Sequence, residues 1–348
     1  MLKVQVQLHY RAFITIAALF CSYAISAETV NPHTLLMEME RNTRALTYQG
    51  TLVYNQGRHM ETLQLFHTNI DGQQRERLVH LTGMPREIIR HGDKVMCIHP
   101  KNGVMTLNNT IPAGPFANYR AQLQSVDEPY RVALAGQGRV AGREVNILAV
   151  EPKDAYRYGY RLALDKETSL LLQSLMVDEQ NRVLERFEYT EIRFGGTLSA
   201  EQLNPQFDRK SETWALLDVS SGQPLPVTAS TGSTEMADHT NQAAKRWNVG
   251  WVPKGFAMSS SRQDKPQSAA KDDKMRDSLM YSDGLTAFSV FIAPNVDMRS
   301  VAVQSGATTA YTAVKKDDAG VFSVTVVGEI PRIAAKTIAG SVDRKATP

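Results

Sequence analysis

The densest group of side chains that could bind a metal is a set of histidines near the start of the chain. Five of the eight histidines fall within 41 residues, at His59, His67, His80, His91 and His99. Cys97 and His99 are two positions apart in a strand-like run, so both would leave the same face, and an adjacent strand could bring His80 or His91 close. Such ligands suit Zn²⁺. No CxxC or HxxxH spacing supports the site, so we expect hydrogen-bonded histidines, a small buried thiol at Cys97 and no metal.

A glycine-rich segment resembles a nucleotide-binding turn. Residues 136–141, Gly-Gln-Gly-Arg-Val-Ala, fit the loose G-x-G-x-x-G/A pattern, which requires a helix to follow so that its N-terminus can hold a pyrophosphate. Residues 145–150 are instead apolar and strand-like, which predicts a bulged hairpin. The sequence also contains no G-x-S-x-G elbow, no P-loop and no H-E-x-x-H. It therefore indicates neither a cofactor nor an enzyme.

One predicted strand carries aromatic and aliphatic side chains along a single face. Tyr156, Tyr158, Tyr160, Leu162 and Leu164 occupy alternate positions, whereas the intervening arginines face the other way. In a closed, filled barrel these side chains would be core. In an incompletely closed barrel they would line an apolar cavity suited to an acyl chain. Both interpretations remain open at this stage.

The elements that position this strand read as one helix followed by a meander. Residues 33–46 form an amphipathic pattern opened by Asn31-Pro32, and short strands with Gly-containing turns then recur about every ten residues to position 107. A second helix is expected at 115–125, and strands resume from 130 to 194. Roughly eleven antiparallel strands of this kind tend to curl or close into a barrel.

The N-terminus predicts export. A basic start, an apolar run of about ten residues and small residues after it are typical of a signal peptide, which we assign to residues 1–27. Without Lys3 and Arg11 the 39 Lys and Arg fall to 37, against 36 Asp and Glu. A nearly neutral mature chain has no basic surface that would indicate nucleic-acid binding.

A composition change separates two domains. Residues 220–244 contain eight Ser or Thr and no aromatic, Lys or Arg residue, as expected of a flexible linker, which we place at 213–246. The first domain then spans 28–212. The second, 247–348, alternates strands with a helix from Pro331 to about 342, a hairpin at Asp283-Gly284 and a short helix near 296–304.

Several short motifs together resemble the RseB/MucB family of periplasmic sigma-E factor regulatory proteins. They are Gly142-Arg143, Tyr158-Gly159-Tyr160, Asp165-Lys166-Glu167-Thr168, Leu184-Glu185, Phe187, Trp251-Val252-Pro253-Lys254-Gly255-Phe256, Ser259-Ser260-Ser261-Arg262, Tyr281-Ser282-Asp283-Gly284 and Val327-Gly328-Glu329-Ile330-Pro331. The resemblance extends over nearly the whole mature chain.

The resemblance implies an α+β fold that is mainly antiparallel β. The large domain would be an open β half-barrel with covering helices, similar to the lipoprotein carriers LolA and LolB, followed by a smaller antiparallel α/β domain. It also implies a non-enzymatic periplasmic protein that binds the periplasmic part of a transmembrane anti-sigma factor (RseA/MucA-like) and shields it from proteolysis. Lipopolysaccharide or another lipid would release that partner.

We assign the lipid to Tyr156, Tyr158, Tyr160, Leu162 and Leu164, and the anti-sigma segment to the small domain near Trp251, Phe256 and Tyr281. Core packing of these three aromatics is the alternative for the second assignment. A periplasmic lipid or lipoprotein carrier is the alternative function, although it would not need a second domain. A homo-oligomer is compatible with either function.

Overall fold

The computed structural model describes residues 31–92, 94–99, 103–107, 126–206, 216–217, 224–225, 242–264, 276–294 and 300–345. The predicted signal peptide, the predicted helix at 115–125 and most of the predicted linker lie outside these residues. Of the linker, only 216–217, 224–225 and 242–246 are described.

The described residues form the following elements. The helices are α1 (Pro32–Ala45), α2 (Ala200–Leu203), α3 (Gln242–Arg246) and α4 (Arg332–Gly340). The strands of the large sheet are β1 (Tyr48–Gln56), β2 (His59–Ile70), β3 (Gln73–His80), β4 (Glu87–His91), β5 (Lys94–His99), β6 (Gly103–Leu107), β7 (Tyr130–Val140), β8 (Arg143–Pro152), β9 (Gly159–Asp165), β10 (Leu171–Val177), β11 (Val183–Phe194), β12 (Leu216–Leu217) and β13 (Pro224–Leu225). The remaining strands are β14 (Trp247–Val249), β15 (Ala257–Asp264), β16 (Arg276–Ser282), β17 (Ala287–Pro294), β18 (Val301–Ser305), β19 (Thr308–Asp317), β20 (Gly320–Gly328) and β21 (Val342–Arg344).

Helix α1 forms where its apolar pattern predicted it. Pro32 is its first residue, where a missing N–H costs nothing because no intrahelical partner exists there. Leu35, Leu36 and Met39 are buried on one face. The helix therefore covers one side of the large sheet with a continuous apolar stripe.

Two hairpins follow from residues in the left-handed backbone region. Asp71 and Gly72 have φ values of 51° and 79°, and Ala141 and Gly142 have 48° and 77°. Two successive positive φ values are the signature of type I′ turns, whose twist matches that of the flanking strands. Residues 136–141 run along β7 into the second turn, with a register irregularity between Leu134 and Gly136. The predicted bulged hairpin is confirmed.

The large sheet is open and almost wholly antiparallel. Its strand order is β13-β12-β6-β5-β4-β3-β2-β1-β11-β10-β9-β8-β7. Among the described strands, the one parallel pair is β6 with β12. Among the described residues no ladder joins the terminal strands β7 and β13, so the sheet does not close. This confirms the predicted class of an open, mainly antiparallel sheet with covering helix. We refer to residues 32–206 as the large domain.

A second, smaller sheet forms the small domain, residues 242–345. Its strand order is β15-β16-β17-β20-β19-β18, all antiparallel, and α4 packs against β19 and β20. The helix expected near 296–304 is wrong for its described part, because Val301–Ser305 pairs with Thr308–Thr312 as β18. Pairing with a neighbouring strand gives the backbone N–H and C=O groups of these residues hydrogen-bond partners. A short helix would leave many of the same groups without partners at its two ends.

The described part of the chain contains three apolar clusters. One lies between α1 and strands β7–β10, a second lies within strands of the large sheet, and a third lies between the small sheet and α4. The first cluster also contains Leu285 and Ala307 of the small domain. The third contacts Tyr156 of the large domain. The two domains therefore share core residues at their contact.

An ion pair at the end of β9 gives a structural role to two of the motifs, Gly142-Arg143 and Asp165-Lys166-Glu167-Thr168. Arg143 donates from Nε and Nη2 to the two carboxylate oxygens of Asp165, at 2.6 and 3.0 Å. The backbone N–H and hydroxyl of Thr168 donate to the same carboxylate, both at 2.9 Å. Burial alone raises the pKa of Asp165, but these hydrogen bonds outweigh it and lower the pKa below its usual value.

We expect Asp165→Asn to lower the free energy of unfolding by about 2 kcal/mol at pH 7, because a charged, hydrogen-bonded acceptor is lost. A lowered carboxylate pKa contributes stability above the unfolded pKa, and this contribution disappears as the pH falls through the folded value. Urea unfolding at pH 7 and pH 3 measures both effects. Glu167→Gln is the control, since Glu167 also pairs with Arg143 but is 79% exposed, and should change stability by less than about 1 kcal/mol. Equal losses in the two variants would contradict the assignment.

Candidate functional site

The histidines do not assemble a metal site in the described part of the chain, where no three His, Cys, Asp or Glu side chains cluster suitably. His67 is buried, stacks on Tyr48 at 4.7 Å between ring centroids, and its Nδ1 lies 2.9 Å from the Leu46 carbonyl oxygen. Burial lowers its pKa to about 4. Cys97 is half-buried, and burial raises the pKa of its thiol. His67 is therefore a structural, neutral side chain near pH 7.

The predicted lipid-binding face is formed, although its strand begins later than expected. Strand β9 starts at Gly159, and the segment before it is a turn. Tyr158, Tyr160, Leu162 and Leu164 are all buried in the first apolar cluster, with the apolar side of α1. Tyr156 does not join them and packs on the small domain instead. All five side chains thus pack on protein, four of them in the first cluster and Tyr156 against the small domain.

The small domain closes part of this face. Leu285 and Ala307 are buried in the same cluster as Tyr160 and Leu162. The Tyr160 hydroxyl donates to the Leu285 carbonyl oxygen at 3.3 Å, and Gln304 Nε2 donates to the Tyr158 hydroxyl at 3.2 Å. The apolar face of the large domain is therefore also a contact surface for the small domain.

A buried ion pair connects the domains beside this face. Arg157 donates from Nη1 to Asp283 Oδ2 at 2.6 Å, and both side chains are fully buried. Arg157 also donates to Asp154 Oδ2 at 3.0 Å and to the Lys254 carbonyl oxygen at 2.6 Å. The Tyr130 hydroxyl donates to Asp283 Oδ2 at 3.1 Å. We call Tyr130, Asp154, Arg157 and Asp283 the interdomain clasp.

Burial and hydrogen bonding act in opposite directions on the carboxyl group of Asp283, and its pKa is raised overall. Burial raises the pKa of Asp283, while the backbone N–H of Thr286, the charge of Arg157 and the N–H of Leu285 oppose that shift. The two amides donate to Asp283 Oδ1 at 2.9 and 3.1 Å. Both oxygens of Asp283 are thus paired, as a buried carboxylate requires.

The predicted partner-binding aromatics lie at or near the same contact. Tyr156 of the large domain meets Trp251 edge-to-face, with ring centroids 4.8 Å apart. The Arg157 guanidinium lies 5.1 Å from the centroid of the Phe256 ring, which is buried. Tyr281 is half-buried and stacks on Phe288 within the small domain. The structure thus brings together Tyr156 and Trp251, one residue of each predicted set, although they are 95 positions apart in the sequence.

A second contact joins the turn between β18 and β19 to the large domain. Gln56 Nε2 donates to Thr308 Oγ1 at 2.8 Å. Gly306 has a φ of 56°, and a Cβ placed there would lie 2.8 Å from both the Gly57 nitrogen and the Leu184 carbonyl oxygen. Only glycine fits this approach of two backbones. We call Gln56, Gly57, Leu184, Gly306 and Thr308 the hairpin contact.

A cleft of about 870 Å³ lies along the boundary of the domains. Its lining is largely polar and charged on the large-domain side and includes the start of α4 on the small-domain side. The lining residues are Glu151, Pro152, Lys153, Asp154, Ala155, Arg157, Tyr158, Gly159, Arg161, Val177, Asp178, Glu179, Gln180, Asn181, Arg182, Leu184, Gln304, Pro331, Arg332 and Ile333. A groove of this size and mixed polarity suits a polypeptide segment or a polar headgroup.

Sequence reasoning missed the clasp. Arg157 was assigned only to the outer face of its strand, and Asp283 only to a hairpin turn. The motif that contains Asp283 carried a signal for this role. A carboxylate next to the Gly of a turn can accept hydrogen bonds from the N–H groups of the turn with one oxygen and pair with a distant cation through the other.

These features define a two-domain binding protein built from antiparallel sheets that contact each other through a buried polar clasp. Residues 31–207 match the MucB/RseB N-terminal domain, and residues 241–343 match the MucB/RseB C-terminal domain. The chain belongs to the MucB/RseB family, and the resemblance derived from its motifs is confirmed. Among the described residues no helix has the length and apolar character needed to cross a membrane.

Relatives match over most of their length. The chain is 32% identical over 303 residues to the sigma factor AlgU regulatory protein MucB of Pseudomonas aeruginosa, covering 86% of each chain. It is 28% identical over 327 residues to the sigma-E factor regulatory protein RseB of Haemophilus influenzae, covering 93% of this chain and 95% of the relative.

Solved structures of MucB match in both domains. A crystal structure of MucB in complex with MucA(peri) has a TM-score of 0.70 at 28% identity, covering 91% of this chain and 100% of that one. A crystal structure of MucB alone has a TM-score of 0.60 at 26% identity, covering 90% and 98%.

Proposed function

We propose that this protein is a periplasmic regulator of a sigma-E type stress response that acts by binding and not as an enzyme. It binds the periplasmic part of a transmembrane anti-sigma factor, shields it from regulated proteolysis, and releases it when lipid or lipopolysaccharide binds. The observation that carries the proposal is the match over 91% of the chain to MucB in complex with MucA(peri).

We assign the anti-sigma segment to the small domain near Trp251, Phe256 and Tyr281, next to the cleft between the domains. Trp251 and Tyr281 are only partly buried and retain surface for a partner, whereas Phe256 is buried beneath Arg157. Phe256 would therefore act by positioning the clasp, and Trp251 and Tyr281 would make the direct contacts.

We assign lipid to the face of Tyr158, Tyr160, Leu162 and Leu164. Tyr156, the fifth residue of the assignment made from the sequence, packs against the small domain instead. Because small-domain residues pack on part of this face, an acyl chain entering there would have to displace Leu285 and Ala307. Lipid and the closed arrangement of the domains would then compete for one surface. Such competition gives a physical reason for release, since a ligand shifts an equilibrium only by its difference in affinity for the two states.

The energies are compatible with this competition. Burial of one CH₂ group contributes about 0.8 kcal/mol, so a chain of about twelve carbons supplies up to roughly 10 kcal/mol before ordering costs. A partner bound at micromolar affinity contributes about 8 kcal/mol. A single acyl chain is thus able to displace a protein partner of that affinity.

We expect the purified protein to bind a fluorescent peptide of the periplasmic part of its anti-sigma factor, and lipopolysaccharide to weaken that binding at least about tenfold, which corresponds to about 1.4 kcal/mol. Fluorescence anisotropy measures both. Deacylated lipopolysaccharide is the control, because it keeps the headgroup and lacks the chains. Trp251→Ala should weaken peptide binding, whereas Phe291→Ala, which removes a 41% exposed aromatic elsewhere on the small domain, should not.

Each outcome bears on a different part of the proposal. Absence of peptide binding would contradict the regulatory function. Peptide binding that lipopolysaccharide leaves unchanged would contradict release by lipid. Transfer of lipid to an acceptor membrane without any peptide binding would favour the lipid carrier instead.

A further inference from the structure

Two acidic residues, one from each domain, lie next to the hairpin contact: Glu185 is opposite Gln56 in the β1–β11 ladder, and Glu329 follows Gly328, which pairs with Thr309 beside Thr308. Glu185 is on β11 of the large domain, and Glu329 follows β20 of the small domain. The charge of Glu329 acts on Glu185 and on the neighbouring Tyr54 of β1. Carboxylates from opposite sides of a contact repel each other when both are ionised, especially where water is excluded.

The backbone holds Glu329 in this position. Its carbonyl oxygen accepts from Thr286 Oγ1 at 2.9 Å, and its N–H donates to the Ala287 carbonyl oxygen at 3.3 Å. Thr286 belongs to the turn that also contains Asp283 of the clasp. The acidic residue is therefore tied to the part of the small domain that already contacts the large domain.

Glu185 is equally constrained. It lies opposite Gln56 in the β1–β11 ladder and directly follows Leu184, so it adjoins two residues of the hairpin contact. One of its carboxylate oxygens, Oε2, is buried and has no hydrogen-bond partner among the described residues. An ionised carboxylate with a dry, unpaired oxygen is costly, whereas a protonated one is less so.

The surroundings of the pair favour its protonated state. Burial raises the pKa of Glu185 to about 8, and the negative charge of Glu329 adds to this, while the hydrogen bond from Tyr54 opposes it. Burial also raises the pKa of Glu329. Glu61, which acts on Tyr54, is a further negative group.

The other elements around the pair bring two exposed basic side chains, His59 on β2 and Arg332 at the start of α4, which lines the same cleft as Leu184. On β10 the residue opposite Glu185 is Met176, which is uncharged. On β2 the residue opposite Gln56 is His59, whose side chain is exposed. His59 and Arg332 are retained in the variants used below, so they do not distinguish these variants.

We propose that Glu185 and Glu329 form a proton-dependent latch that holds the two domains together when the pair carries a proton and releases the hairpin contact when both carboxylates ionise. This proposal is based on the contact between the two domains and does not depend on the proposed function. Where that function holds, opening would withdraw Leu285 and Ala307 from the apolar face and make it available to lipid at higher pH.

The raised pKa values determine whether a rise in pH opens or closes the contact between the domains. A carboxyl group whose pKa is raised in the closed state stabilises that state fully below its ordinary value, and the contribution is lost as the pH rises towards the raised value of about 8. Between about pH 5 and pH 8, loss of one proton on opening increases the opening constant by at most about tenfold per pH unit. Above that range the pH dependence levels off.

Distances between spin labels across the hairpin contact test the latch. Met60 and Val303 are exposed residues on either side of it, three positions from Gly57 and Gly306. Both are replaced by labelled Cys in the mature chain, with Cys97→Ser to leave no other thiol there. We expect a population with a longer distance that grows from pH 5 to pH 8.

Glu185→Gln and Glu329→Gln should each remove most of this growth and favour the short distance at pH 8. Glu188→Gln is the matched control, because it removes a carboxylate on the same strand that pairs with Arg186 at 2.9 Å outside the latch, and it should behave like the parent. The proposal is overturned if both Gln variants keep the parent's pH dependence, or if the parent shows one distance throughout. No anti-sigma peptide is present, so failure here leaves the proposed function standing.

Discussion

Arg157→Ala is expected to lower the free energy of unfolding by about 3–5 kcal/mol, because it leaves the buried carboxylate of Asp283 without its cation. The variant also breaks the hydrogen bonds to Asp154 and to the Lys254 carbonyl oxygen, and removes a cation from the faces of Tyr130 and Phe256. All these contacts lie at the boundary between the domains. Urea unfolding, followed by tryptophan fluorescence at pH 7, measures the loss.

Arg182→Ala is the matched control for this prediction. Arg182 also pairs with an aspartate, Asp178, at 2.7 Å, but its side chain is 74% exposed. An exposed pair is screened by water, so its removal should change stability by less than about 1 kcal/mol. A loss of similar size in both arginine variants would show that the clasp is no stronger than a surface ion pair.

A double substitution separates the ion pair from simple loss of packing. With Asp283 also replaced by Ala, the Arg157 variant no longer buries an unpaired charge. We expect the double variant to be destabilised by clearly less than the sum of the two single variants, as is usual for residues that share one network. Strict additivity would mean that the two side chains act independently.

Leu162→Ala is expected to lower the free energy of unfolding by about 2–5 kcal/mol, the range for truncating a buried leucine. Leu162 lies in the middle of the predicted lipid-binding face, has no exposed surface, and is opposite Leu148 in the β8–β9 ladder. The loss combines the transfer of the missing methyl groups with the cavity that they leave. Urea unfolding without lipid is the measurement.

Leu134→Ala on β7 is the control, because this leucine is 42% exposed and little cavity can form. Its effect should stay below about 1 kcal/mol. If the two leucine variants lose equal stability, the face is not packed in solution and encloses space without lipid. If Leu162→Ala loses the larger amount, a lipid has to displace packed protein groups to reach the face, as we propose.

Helix α1 and the hairpins were predictable because their signals are local. Three apolar positions on one turn-and-a-half of helix, with a proline at its first residue, determine α1 without reference to the rest of the chain. The Asp71-Gly72 turn requires two positive φ values that Gly and Asp tolerate, and this sets the twist of its hairpin. Alternation of apolar residues likewise predicted the antiparallel strands of both domains.

The start of β9 and the nature of residues 301–305 were not predictable in the same way. Tyr156 continues the alternation of the strand, yet it lies in a turn and packs against Trp251, because the small domain offers an aromatic surface there. Residues 301–305 contain no strong helix or strand signal, and their pairing with β19 decides the outcome.

The sequence by itself determined the family, the mainly antiparallel class of the fold, and the set of apolar and aromatic side chains that face inward. The tertiary structure alone decided what those side chains meet, because alternation specifies a face and not the surface that covers it. Arg157 and Asp283 are 126 positions apart, and no periodicity relates residues so distant. Their pairing, and the contact of Tyr156 with Trp251, follow from the packing of one domain on the other, where a buried charge must find its partner.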